Sequence, residues 1–126
     1  MDMILYTEKG LQRLSRLFER YESNPSTLSF VDLGVAKDYA TYKEARWLDS
    51  AWRVADYLGT DLPPIHAVTE GMYRRWRNAY DKWISGTAHP PDMPDVLNYC
   101  VVQANLWANE LEIIDTLVEV KVAMVS

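Results

Sequence analysis

The sequence is poor in the residues that build disulfide and zinc frameworks. It contains one cysteine, Cys100, and two histidines, His66 and His89, among 126 residues. A single thiol cannot close an intramolecular disulfide, and these three side chains have no recognised metal-ligand spacing. A chain of this length can bury about two-thirds of its unfolded surface without such staples. We therefore expect a single domain, residues 1–126, working in a reducing cytoplasm.

Long hydrophobic runs and an excess of positive charge are also missing. No stretch approaches the roughly 20 apolar residues of a membrane-spanning helix. The first ten residues, MDMILYTEKG, carry only a four-residue apolar run, which predicts neither a signal peptide nor an anchor. The net charge of −5 and the isoelectric point near 4.9 disfavour diffuse binding to nucleic-acid phosphates or anionic lipids. A protein partner is therefore expected before a nucleic acid or a membrane.

Helical periodicity dominates what is present. Glycine and proline interrupt the chain at three places and leave four segments whose apolar residues recur every three or four positions. The four predicted helices run from about 8 to 23, from an N-cap at Ser29 or Asp32 to Gly59, from between Pro64 and Thr69 to about 85, and from near Asp92 or Asp95 to about Leu117 or beyond. The prediction is a mainly all-α, compact bundle of about four helices. A minor two-stranded element from residues 3–6 and 118–125 is the alternative for the two ends.

The fourth helix is predicted to be long and central because its wheel has two apolar sides. One side carries Leu97, Val101, Ala104, Trp107, Ala108 and Leu111. The other carries Tyr99, Val102, Leu106, Ile113 and Leu117. A helix that is apolar on two sides is expected to pack on two sides.

Residues 72–83, MYRRWRNAYDKW, alternate aromatic and basic side chains. On a helix Tyr73, Trp76, Tyr80 and Trp83 converge on one face, Arg77 borders it, and the other basic residues point away. Three interpretations follow: a core face, a partner-binding surface, or a stacking platform for nucleic acid. We favour a core face, rank partner binding second with these five residues as its candidates, and place nucleic acid last.

Residues 92–99, DMPDVLNY, resemble the second metal-binding motif of the all-α nucleotide pyrophosphohydrolases related to MazG and the dimeric dUTPases. The resemblance implies that Asp92 and Asp95 bind Mg²⁺, with Glu44 as the best-placed further carboxylate, because a hard cation prefers oxygen ligands. The simpler interpretation, which we favour, is that Asp92 or Asp95 caps the fourth helix.

Other signs of catalysis are few. Cys100 lies between apolar residues of a helix, where a thiol is usually a small buried hydrophobe. The sequence contains no local motif of a hydrolase, metalloprotease or nucleotide-binding loop. We therefore predict a non-enzymatic interaction module, without a cofactor, that binds a partner protein or a second copy of itself through an aromatic-rich helical surface. Adaptors, assembly factors and inhibitors, including those that some phages encode, are of this kind.

Overall fold

The computed structural model describes residues 8–24 and 29–125. They form four α-helices: α1, Glu8–Ser23; α2, Phe30–Leu58; α3, Glu70–Ile84; and α4, Met93–Val125, which follows a single 3₁₀ turn at Pro90–Asp92. The prediction of a mainly all-α fold with a long C-terminal helix is confirmed. None of the four helices, within those two ranges, is both long and apolar enough to cross a membrane.

The predicted two-stranded element is wrong for residues 118–125, which continue α4. Extending an existing helix adds one backbone hydrogen bond for each residue that is fixed, whereas an isolated strand pair is marginally stable. The other half of that prediction, residues 3–6, lies outside the described residues.

Both residues proposed as the cap of α2 take part in starting it. The backbone N–H of Asp32 donates to Ser29 Oγ at 3.2 Å, and the backbone N–H of Ser29 donates to Asp32 Oδ2 at 3.4 Å. This reciprocal pair satisfies two amide groups that no helical carbonyl can reach. At the other end Gly59 takes a positive φ of 68°, which suits a residue without a Cβ atom.

Helix α3 begins one residue after Thr69, whose side chain accepts a hydrogen bond from the Met72 amide at 3.1 Å. It ends before Ser85, and Gly86 follows with a φ of 79°. Helix α4 begins at Met93, so Pro94 lies in the first turn, where its missing N–H is not needed. Each of these boundaries agrees with the sequence prediction.

The chain divides into two compact units, one formed by residues up to Glu44 and from Trp107 onward, the other by Ala45–Leu106. Helices α2 and α4 contribute to both units. This division groups the residues that contact one another most, and it does not test whether the two units fold as one domain. The prediction of one domain therefore stays a prediction.

The first unit has an aromatic core. Its buried residues are Phe18, Tyr21, Leu33, Ala36, Ala40 and Ile114. The ring of Phe18 lies 5.0 Å from the ring of Trp107 and 5.5 Å from that of Tyr39. Stacked and tilted rings at such distances add to the free energy gained from burial alone.

The second unit is packed tightly where α2 presents alanines. Ala51 and Ala55 are fully buried, as are Val96 and Cys100 of α4. A side chain of one carbon atom lets the neighbouring helix come close. Adding methylene groups at these positions would force the packed side chains apart.

We expect Thr69→Ala to lower the free energy of unfolding by about 1 kcal/mol, because it removes the side-chain acceptor of the Met72 amide. Thr41→Ala is the matched control, since that hydroxyl bonds only to a helical carbonyl, Lys37 O, and the change should stay within about 0.5 kcal/mol. Urea unfolding followed by circular dichroism measures both. Equal losses in the two variants would contradict the cap.

Candidate functional site

The aromatic face of α3 is covered by helices of its own unit. Trp76 is only 3% exposed and belongs to a buried cluster with Tyr99 and Val102 of α4. Tyr73 and Tyr80 are partly buried against the same cluster. This geometry matches the favoured interpretation of the sequence, in which the stripe is a core face.

Ring contacts hold this cluster together. The ring of Tyr99 lies 4.8 Å from Tyr80, 5.7 Å from Tyr73 and 5.6 Å from Trp47. The Tyr73 hydroxyl accepts a hydrogen bond from Gln103 Nε2 at 2.9 Å. Because these aromatic rings pack against one another, they are not free to stack on nucleic-acid bases.

Burial also decides the acidity of the tyrosines. It raises the pKa of Tyr99, aided by a hydrogen bond with Tyr73, and burial raises the pKa of Tyr80. A raised pKa means that the folded chain holds these protons more tightly than the unfolded chain. The stabilisation is complete below the ordinary tyrosine pKa of about 10 and is lost as the pH rises above it. Neither hydroxyl is an acid or a base near neutral pH.

The five residues named as partner-binding candidates therefore differ in accessibility. Trp76 is buried, whereas Arg77 is exposed. Tyr73, Tyr80 and Trp83 are partly buried. The aromatic groups of this set serve chiefly as the core of the second unit, and Arg77 is its most accessible member.

The basic back of α3 is partly neutralised by carboxylates. Arg74 pairs with Glu70 at 2.8 Å, and Arg75 Nε lies 3.5 Å from Asp95 Oδ2. Two of the arginines that a nucleic-acid platform would use are thus paired with acids of the same unit.

The acidic residues of DMPDVLNY also have structural partners. Asp92 Oδ2 accepts a hydrogen bond from the backbone N–H of His89 at 3.0 Å, and Asp95 pairs with Arg75. Glu44 is half-buried and belongs to the first unit, whereas the two aspartates belong to the second. Within residues 8–24 and 29–125 the structure brings together no group of three His, Cys, Asp or Glu side chains that could hold a metal ion. Asp92 therefore caps the 3₁₀ turn that precedes α4, and Asp95 lies in the first turn of α4 in an ion pair. That either residue caps α4 itself stays a prediction.

Cys100 is completely buried in the core of the second unit. Burial raises the pKa of its thiol to about 12, so at neutral pH the group is protonated. A thiol in this state is a poor nucleophile and a poor metal ligand.

An exposed apolar stripe on the second half of α4 was not assigned as a site from the sequence. It consists of Ile113, Leu117, Val120 and Met124, and we call it the α4 stripe. Ile113 is 49% exposed, Val120 52% and Met124 82%, while Leu117 is half-buried. At 3.6 residues per turn these four residues fall within an arc of about 60°. The sequence contained a sign of this stripe, because Ile113 and Leu117 belong to the second apolar side predicted for the fourth helix.

Packing explains why the second apolar side of α4 is buried at its start and exposed at Leu106 and Ile113. In the second unit Val96 and Cys100 are buried on one side of α4 and Tyr99 and Val102 on the other, but Leu106 of that second side is 48% exposed. In the first unit Ile114 is buried against α1 and α2; on the second side Ile113 is 49% exposed and Leu117 is partly buried against the same core. The sequence prediction of two-sided packing thus holds for α4 as far as Val102 and fails at Leu106 and Ile113.

Acidic side chains border the α4 stripe. Glu112 and Glu119 are exposed along one border, and Glu110 on the other accepts a hydrogen bond from the Tyr21 hydroxyl at 3.3 Å. Lys121 is the only basic residue from 107 to 126, and its Nζ lies 5.7 Å from the centre of the Phe30 ring. The part of α4 that carries the stripe therefore has a net negative charge.

The chain matches no protein-family model, and neither a curated protein nor a solved structure is significantly similar to it.

Replacing Trp76 by alanine tests whether the α3 face is core. We expect Trp76→Ala to cost about 3–5 kcal/mol of unfolding free energy, because a large buried ring is removed. Trp52, 48% exposed in the same unit, is the matched control, and its replacement by alanine should cost no more than about 1 kcal/mol. Urea unfolding followed by circular dichroism compares them, and similar costs at both positions would argue that the α3 face is open to solvent.

We expect Cys100 to react with iodoacetamide at pH 8 at least about a hundredfold more slowly in the native chain than in urea. The thiol is both buried and protonated at that pH. The rate of alkylation, followed by mass spectrometry, checks this. Native and unfolded rates within a few fold of each other would show that the core of the second unit opens readily.

Proposed function

We propose that the protein is a non-enzymatic interaction module whose α4 stripe is the contact surface for a partner protein. The observation that carries the proposal is the exposure of Ile113, Val120 and Met124 on one face of a helix. A contiguous row of apolar side chains loses free energy in water and gains it when a second surface covers the row. The module would act by occupying its partner, as an adaptor, an assembly factor or an inhibitor does.

The α3 aromatics support this module indirectly. Trp76 and Tyr99 fix α3 on the first half of α4, and Arg77 is left accessible on the outside of α3. Because Trp76 is buried, we place the principal contact on α4 and not on α3. The cytoplasm, where a single buried thiol stays reduced, is the compartment that we propose for this activity.

The alternative functions have less support in the described residues. A magnesium-dependent pyrophosphohydrolase would need the carboxylates of Asp92 and Asp95 for the metal, and these are engaged with His89 and Arg75. Nucleic-acid binding through residues 72–83 would need free aromatic faces and unpaired arginines. The interaction module is therefore the function that we propose.

The test uses the full chain with two aspartate substitutions on the stripe, Ile113→Asp and Val120→Asp together. Affinity capture from extract of the native host should retain a partner on the wild-type chain and at least about tenfold less of it on the double variant, because a desolvated anchor contributes roughly 2 kcal/mol. Quantitative mass spectrometry of the retained proteins measures the ratio.

Val122→Asp is the control, since Val122 is as exposed as Val120 on the same helix but lies outside the stripe. It should retain the partner like the wild type. The urea midpoint of each variant checks that the fold is intact. Capture that is equally strong on all three chains, or that is lost equally in the control, would remove the basis of the proposed function.

A further inference from the structure

Resting on the proposed function, we infer that the α4 stripe binds an amphipathic helix of the partner protein, apolar on one face and flanked by lysine or arginine. Two features of the first unit carry the inference. The residue spacing of the stripe and the groove beside it fit a facing helix. The glutamates along its borders favour a helix that carries lysine or arginine.

The spacing of the stripe is that of a helix-helix seam. Its residues follow one another at steps of four, three and four, from Ile113 to Met124. These steps average about 3.7 residues, close to the helical repeat of 3.6, and keep a row of side chains facing a second helix over about 17 Å. An extended peptide, whose side chains alternate every second residue, has no matching repeat on this surface.

A depression beside the stripe has the form that receives a side chain from a facing helix. A groove of about 360 Å³ is lined by Asn109, Glu112, Ile113, Thr116 and Leu117. Four of these residues are spaced i, i+3, i+4 and i+7, the set that makes a hole in knobs-into-holes packing. Asn109 and Thr116 are short, so a leucine or phenylalanine of the partner could enter between them.

The carboxylates beside the stripe favour a partner helix with basic side chains. From residue 107 to the end, four carboxylates, those of Glu110, Glu112, Asp115 and Glu119, stand against the single ammonium group of Lys121. Asp115 is paired with Lys37 at 2.8 Å, which leaves the exposed Glu112 and Glu119 to face a bound helix. Cationic side chains beside the apolar face of that helix would complement them and speed its association.

A second copy of the chain fits this surface less well. In such a dimer the four carboxylates and one lysine of α4 in one copy would face the same groups in the other copy. Like charges across an interface oppose association. Four partly exposed side chains are also fewer than the twenty or more residues that each partner of a stable dimer usually contributes. The occupant that complements both the apolar row and its acidic border is a basic amphipathic helix.

The probe is a fluorescein-labelled synthetic helix of 21 residues, with leucine and isoleucine at alternating steps of three and four and lysine at the flanking positions. Its matched control has glutamate at every lysine position. Fluorescence anisotropy with the full chain should show saturable binding of the lysine peptide, at least tenfold weaker binding of the glutamate peptide, and weaker binding of the lysine peptide as salt is raised.

Variants separate a site from general attraction to an acidic protein. Ile113→Asp with Val120→Asp should weaken binding of the lysine peptide at least tenfold, while Val122→Asp should leave it unchanged. Glu112→Gln with Glu119→Gln should weaken it several fold. Glu19→Gln with Glu22→Gln removes the same charge from exposed positions of α1 and should have a smaller effect.

Three results would overturn the inference. The first is equal binding of the two peptides, or binding of neither. The second is equal loss in the two pairs of glutamine variants. The third is sedimentation showing a dimer that Ile113→Asp with Val120→Asp converts to a monomer, because the occupant would then be a second copy. Stripe-dependent capture of a partner without basic helices would sink this inference and leave the proposed function standing, whereas stripe-independent capture would sink the proposed function itself.

Discussion

The packing of α4 is the constraint on which the rest of the described structure depends. This helix supplies buried residues to the core of each unit, Ile114 in one and Val96, Cys100 and Tyr99 in the other. The small side chains of α2, among them Ala40, Ala51 and Ala55, are fully buried in these cores. Small residues at such positions allow helices to approach closely.

Aromatic side chains form ring contacts in the core of each unit. In the first unit Phe18, Tyr39 and Trp107 form one set of ring contacts, and in the second unit Tyr80, Tyr99 and Trp47 form another. Their large buried area stabilises a short chain that has no disulfide. The abundance of tryptophan and tyrosine is thereby explained largely by the cores, although Trp52 and Tyr57 are 48% and 65% exposed.

Most of the fold follows from local signals in the sequence. The boundary signals at Ser29, Gly59, Thr69 and Gly86 act through hydrogen bonds and backbone angles within a few residues, so they can be recognised without knowledge of distant contacts. The favoured core interpretation of Tyr73 and Trp76 rested on the same local periodicity. The chain ends were harder, because alternating valines such as those of residues 118–125 suit a strand or a helix until neighbouring packing decides between them.

What the sequence determined by itself is therefore the set of helices, their caps and their apolar faces, because each depends on residues close together along the chain. Only the tertiary structure decided which apolar faces are covered. Tyr99 and Ile113 both belong to the second apolar side of α4, yet one is buried by α3 and the other is half exposed. Periodicity records that a side chain is apolar on a given face, whereas its exposure depends on whether another element lies over that face.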